Sequence, residues 1–263
     1  MKISGRSILN YLMSARDPAI FFVVFLIVWQ LVTVQFELVP RFILPSPLDV
    51  VKGFYDPNVG GWWKHIGTTL YETLSGFAIG APVGVALAVV LVQSSVFRRV
   101  LMPYIVAWQV VPKVALAPII YILLGFTDVS RVFLVFLLSF FPILINTMTG
   151  LEDVDRNLVY LLQSLGINEA RIFYKVRLPN AMPEFFDGAK IAITGSMIGA
   201  VVAEFVSSQA GLGFLLVNAQ FSFNVSVMFA SMILLTLMGL TLYGAVLVAQ
   251  YVSMPWFRKL AAD

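Results

Sequence analysis

The sequence predicts an all-α membrane protein of six transmembrane helices with both termini on the inner side (N-in/C-in), and three observations carry that prediction. Of the 263 residues, 60% are hydrophobic and only 12% charged, with a mean hydropathy of +0.91, which excludes an ordinary soluble domain. The apolar residues fall in six blocks, at about 18–37, 68–93, 99–124, 131–148, 186–206 and 226–252. Blocks of this kind match the roughly 20 residues of helix that cross a hydrocarbon core of about 30 Å. With the N-terminus inside, twelve basic residues fall on the inner side: Lys2, Arg6, Arg16, Arg98, Arg99, Arg156, Arg171, Lys175, Arg177, Lys190, Arg258 and Lys259. Only four, Arg41, Lys52, Lys64 and Arg131, fall on the outer side, the asymmetry of an even number of spans.

Helices satisfy their own backbone hydrogen bonds in lipid, and these runs are too long and too continuously apolar for the alternating strands of a barrel. Cysteine is absent, which removes disulfides, thiolate metal sites and a cysteine nucleophile from consideration. The net charge of +3 reports orientation rather than a nucleic-acid partner. Lys2, Arg6 and Arg16 ahead of the first apolar run imitate a signal peptide, but the following QFELVPRF offers no small-x-small cleavage site. The expectation is a retained first helix within a single transmembrane domain covering 1–263.

Gly76, Gly80, Gly84 and Ala88 form a stripe of small residues along the second span, and Gly195, Gly199 and Ala203 repeat it in the fifth. Such stripes let helices approach closely in lipid, either as ordinary packing or as a moving interface. Pro103, Pro112 and Pro118 interrupt the third span, each removing a backbone donor and tending to bend the helix. A bend there suits either a pathway or a static bundle.

Between the fourth and fifth spans lies the one long charged inner loop, about 149–185, GLEDVDRNLVYLLQSLGINEARIFYKVRLPNAMPEFF. Leu158, Leu161, Leu162 and Leu165 follow the i, i+3, i+4, i+7 spacing of an amphipathic helix, with Asp155, Arg156 and Gln163 on its polar side. Gly166 can end that helix in a left-handed cap, and a second short helix over about 168–177 is expected to stop at Pro179. Periodicity alone describes a hairpin that either rests in the lipid interface or docks to a partner.

The loop resembles that of the permease subunits of type I ABC importers, whose pattern is EAA-x3-G-x9-I-x-LP. Gly166 is followed at that spacing by Val176 and then Leu178-Pro179, whereas Tyr160, Leu161 and Leu162 stand in place of Glu-Ala-Ala. LPSPLDVVK at 44–52, VPKVALAPIIYILLGF at 111–126, FFPILINTMTGLEDVDR at 140–156 and MIGAVVAEFVSSQAGLG at 197–213 extend the similarity to the nitrate, sulfonate and taurine branch. That branch also includes importers of thiamine pyrimidine precursors and of riboflavin. The resemblance implies the six-helix type I permease fold, a second permease copy, two cytosolic ABC ATPase subunits and an extracytoplasmic solute-binding protein. It also implies that Leu161, Leu162, Leu165, Gly166, Ile167, Ala170, Leu178 and Pro179 couple to the ATPase, with the apolar face replacing the acidic contact. No GxxxxGK[ST] phosphate loop occurs, so the chain is expected to hold no cofactor, with ATP and Mg on the partner ATPase, and to be no enzyme itself.

Ionisable groups inside a membrane are costly and invite a functional reading. Lys113, in the broken third span, either attracts an anionic solute or bonds freed carbonyls at the break. Glu204, near the outer end of the fifth span, either pairs with Arg131 or faces water. Gln109, Asn146, Thr194 and Ser196, and less specifically Thr147, Asn218 and Gln220, are neutral polar groups that could meet a passing solute. His65, beside Trp62 and Trp63, reads as part of an interfacial belt, and a lone histidine makes no catalytic or metal site. An ion-coupled secondary transporter is the alternative, but such carriers commonly use several intramembrane carboxylates, and here the candidates reduce to Glu204, Asp187 and Glu184. An intramembrane hydrolase would need a metal cluster, a Ser/Lys dyad or paired aspartates, and the spans mark none.

Overall fold

The computed structural model describes residues 5–255, and among them there is no strand. Lys2, Arg258 and Lys259, counted above on the inner side, lie outside the described residues, as does the side chain of Arg6. In chain order the helices are α1 (Gly5–Gln30), α2 (Pro47–Gly53), α3 (Trp62–Gln93), α4 (Ser95–Val110), α5 (Ala117–Leu124) and α6 (Asp128–Glu152). They are followed by α7 (Arg156–Ser164), α8 (Glu169–Ile172), α9 (Leu178–Ser207), α10 (Leu212–Phe221) and α11 (Val225–Ser253). Among the described residues five helices are long and apolar enough to cross a membrane, and α4 with the segment Lys113–Leu124, bent by 90° at the break between them, makes a sixth if the pair is counted as one span.

The chain divides into two compact units, one running to Gly60 and including Leu215–Ile233, the other comprising Gly61–Phe214 and the chain from Leu234 onward. In the first unit, α1 continues through a π turn at Leu31–Gln35. Ser46 caps α2 by accepting the Asp49 N–H at 3.2 Å, and Pro47 follows with its preset φ. Gly53 is required by close approach: a Cβ there would lie 2.5 Å from the Ser226 carbonyl oxygen. The Asp56 carboxylate accepts the Asn58 N–H at 2.9 Å and the Asn224 amide at 2.6 Å, and these bonds hold its carboxyl below the usual range.

In the second unit α6 packs along both α3 and α9. The small-residue stripe of α3 faces α6, with Gly76 on Val135, Gly80 on Ser139 and Gly84 on the backbone of Phe140. The stripe of α9 faces the same helix, with Gly195 on Leu138 and Gly199 on Val135. Both stripes therefore serve close packing within this chain, where contact replaces the hydrophobic drive that lipid lacks. Leu91, Leu144 and Met148 form one apolar cluster and Tyr121, Leu134 and Ala203 another. Gly80→Val is expected to cost about 1–3 kcal/mol by overpacking. Gly67, whose Cβ would meet nothing within 4 Å, is the control: Gly67→Ala should be neutral or stabilising. Thermal unfolding of the two variants in detergent checks the contrast.

Two expectations about the spans need correction. The third span is broken, but not at all three prolines: the chain turns at Val111 and Pro112, both extended (ψ 127° and 91°), and re-forms as a short 3-10 turn before α5. Proline biases its preceding residue toward extended backbone. Pro103 sits inside α4 and Pro118 in the first turn of α5, so only the middle proline breaks the span. The second correction concerns Pro179, which does not stop a helix. α8 runs through a π turn at Phe173–Arg177 straight into α9, making one 39-residue helix from Glu169 to Ser207. The π turn shifts the bonding to i−5, with Leu178 N–H donating to the Phe173 carbonyl, and Pro179 enters a first turn that needs no donor from it.

Candidate functional site

The break in the third span opens a groove of about 470 Å³ against α6 and α9. Gln109, Lys113, Phe141, Asn146, Ile191 and Gly195 are among the residues that line it. Lys113 begins the 3-10 turn, where its Nζ donates to the Gln109 carbonyl at 3.4 Å and lies 5.2 Å from the centre of the Phe141 ring. That carbonyl is one of those the end of α4 leaves free, so the lysine does bond the break. Asn146 donates its amide to Pro142 O at 2.8 Å, a bond within α6.

Three of the six residues predicted to meet a solute thus come together, and three do not. Thr194 lies on another face of α9, where Met197, Gly239 and Tyr243 share its groove and its hydroxyl donates to Ile191 O at 2.9 Å. Ser196 is fully buried, its hydroxyl without a hydrogen-bond partner among the described residues. Thr147 is buried in α6, while Asn218 and Gln220 are exposed on α10.

Glu204 neither pairs with Arg131 nor faces water. It is 1% exposed, accepting the Thr69 hydroxyl at 2.6 Å on one oxygen and the Gly213 N–H at 2.6 Å on the other. Thr69 in turn accepts the Leu212 N–H at 2.9 Å, and Nδ1 of the buried His65 accepts the Gly211 N–H at 3.0 Å. The segment Ser208–Leu212 is thereby drawn onto α3 and α9. Gly211 has φ +120°, and a Cβ there would run into the Glu204 carboxylate. His65 is accordingly a buried packing residue tied to this loop.

The carboxylate that Arg131 does engage is Glu72, which is not among the acids Glu204, Asp187 and Glu184 expected from the sequence. Arg131 Nε donates to Glu72 Oε1 at 2.5 Å, and its guanidinium also holds Asp128 and donates to Ser207 O at 3.3 Å. Glu72 is 1% exposed. Starting the second span at 68 left Glu72 one turn inside its end, although a glutamate in one span and an arginine at the head of another were visible as an opposite-charge pair.

The inner loop is built as a capped helix and a turn. Asp155 caps α7 by accepting the Asn157 N–H at 2.8 Å. At its other end Gly166 adopts φ +78°, with Gly166 N–H bonded to Gln163 O at 2.9 Å and Ile167 N–H to Leu162 O at 3.1 Å. These two bonds are the paired closure of a Schellman motif. Asn168 then caps α8 through the Arg171 N–H at 2.9 Å, and Gln163 donates to Glu169 across the turn at 2.5 Å. Leu161 and Leu165 are exposed, as are Gly166 and Ala170; Leu162, Ile167, Leu178 and Pro179 are half-buried. The buried face of α7 is carried by Val159, which the leucine spacing did not single out. Leu158, Tyr160 and Tyr174 add to the exposed apolar surface.

Residues 80–259 match the family described as binding-protein-dependent transport system inner membrane component. The chain belongs to that family. It is an inner-membrane permease component of an ABC importer, with the ATPase a separate subunit and with an ATPase and a binding protein as the partners the family implies. The permease is 29% identical over 246 residues to the formylaminopyrimidine transport permease protein of Halalkalibacterium halodurans, covering 93% of this chain and 97% of that one. It is 31% identical over 239 residues to the riboflavin transport system permease protein of Chloroflexus aurantiacus, covering 90% and 89%. These relatives fall in the branch that the sequence resembled. In fold, the permease is similar to a chain of the MetNI methionine ABC transporter in an inward-facing conformation, with a TM-score of 0.58 and 20% identity over 80% of this chain and 98% of that one.

Proposed function

We propose that this permease carries a small solute across the inner membrane as one of two identical copies. In this reading 1–263 acts as a single transmembrane domain with both termini in the cytoplasm, and an extracytoplasmic binding protein delivers the solute. Two cytosolic ATPase subunits, which hold ATP and Mg, grip the loops at Leu161, Leu162, Leu165, Gly166, Ile167, Ala170, Leu178 and Pro179. The solute classes in this branch are nitrate, sulfonates including taurine, and heteroaromatic vitamin precursors.

The observation that carries the reading is the continuity of the helix from Glu169 to Ser207. One end of it borders the exposed Leu161–Leu165 surface, and further along it Ile191 and Gly195 line the groove at the broken span. A helix moves as a rod, so a partner that displaces the loop also displaces a wall of the groove, which is the mechanical requirement of alternating access. Uptake into proteoliposomes tests the proposal. Transport should require ATP, the ATPase and the binding protein together, and should survive collapse of sodium and proton gradients. Uptake by the permease alone, driven by an ion gradient, would instead establish a secondary transporter.

A further inference from the structure

The groove at the broken span has an electrostatic asymmetry that narrows the solute class, and the inference rests on the groove being the solute's path. Among the residues lining it, Lys113 alone carries a formal charge. No carboxylate of the described residues pairs with it, whereas Lys190, Arg131 and Arg98 each pair with an acid. Helix ends do not neutralise it either. The C-terminus of α4 contributes about half a negative charge and the N-terminus of α5, which begins just beyond the 3-10 turn, about half a positive one. The two cancel to first order, leaving the whole charge of the lysine.

The other contacts of Lys113 orient it without discharging it. A carbonyl at 3.4 Å takes one of the ammonium's three donors and the ammonium itself lies 5.2 Å from the Phe141 ring centre, and neither contact carries a formal negative charge. Lys113 is only partly buried and keeps its charge toward the groove, and an apolar-walled cleft of one sign concentrates ions of the other. The volume of about 470 Å³ lies in the lower part of the range for small-molecule sites. Phe141 offers a flat apolar wall beside the ammonium, and Gln109 adds an amide.

We infer that the groove at the broken span is an anion station, in which Lys113 receives the negatively charged group of a small solute while its apolar part lies against Phe141. Among the solute classes of the branch this favours nitrate and sulfonates over neutral heteroaromatic precursors. An anionic lipid headgroup shares the chemistry, so the test must separate a free anion from a lipid.

Trp108 stacks on Phe141 at 6.4 Å and reports on the same wall. The full chain, with Trp29, Trp62, Trp63 and Trp256 changed to Phe, is placed in nanodiscs of neutral phosphatidylcholine, and Trp108 fluorescence is quenched with iodide, caesium and acrylamide. Iodide should quench more strongly than caesium, and Lys113→Gln should lower the iodide constant about fivefold while leaving acrylamide unchanged. Lys113→Arg should retain the iodide preference. If the four-fold substituted chain does not fold, the same constants come from the difference between the native chain and Trp108→Phe. Equal iodide quenching in Lys113→Gln would overturn the inference. Iodide quenching that disappears on adding phosphatidylglycerol would also overturn it, assigning the site to lipid. The titration needs neither ATP nor partners, so a failed uptake assay would sink the transport reading while leaving this result standing, and the reverse also holds.

Discussion

Replacing Gly166 by valine is expected to uncouple the permease from its ATPase while leaving the transmembrane helices folded. A Cβ at this position would meet nothing within 4 Å, so crowding is not the cause. The cause is the backbone: φ is +78°, a region that costs a β-branched residue about 2 kcal/mol, and on that conformation depend the bonds from Gly166 to Gln163 and from Ile167 to Leu162. A penalty of that size shifts the equilibrium between capped and uncapped loop about thirtyfold. Retention of the ATPase during purification and ATP-driven uptake should both fall steeply. The melting temperature of the permease should change little, since the loop ends lie outside the α3, α6 and α9 packing. Gly166→Asn, which tolerates the left-handed region, should retain most of the association. A valine variant that holds its ATPase as firmly as the native chain would remove the coupling assignment.

Arg131→Ala should be the most destabilising single change in the second unit. Removing the guanidinium leaves Glu72 buried without a cation, and Asp128 and Ser207 lose their bonds to Arg131. Breaking a buried pair by deleting one partner costs about 3–5 kcal/mol, because the remaining charge has neither water nor counter-ion. Replacing both members with apolar groups, as in Arg131→Met with Glu72→Leu, should restore most of that loss, since neither desolvated charge remains. Thermal unfolding of the three chains in one detergent decides the matter. A loss under about 1 kcal/mol in Arg131→Ala would mean that water reaches Glu72.

Much of this architecture is legible in sequence because lipid imposes a one-dimensional rule: a helix must be apolar for about 20 residues. The same rule conceals what lies beyond it. Core and lipid are both apolar, so the leucine spacing of α7 could not say that Val159 would turn inward while Leu161 and Leu165 stay exposed. Pro103, Pro112 and Pro118 carry the same local instruction, and tertiary packing decides that the chain turns at the second. Pro179 looked like a stop because proline is read against an α-helix, and a π turn changes the bonding it disrupts. Gly166 was read correctly as a helix end, since its backbone requirement is local. The Glu204 and Glu72 contacts join residues 135 and 59 positions apart, which no periodicity encodes.

The π turn at Phe173–Arg177 also sets an azimuth. A turn that holds one extra residue displaces everything before it by about 100° around the helix axis relative to an uninterrupted α-helix. The direction in which Glu169–Ile172, and the capped turn ahead of it, leave the membrane-spanning rod is therefore decided by a single residue of phase. A one-residue deletion there would heal the helix into regular form and leave every side chain up to Ile172 in place, yet aim them at a different quarter of the compass.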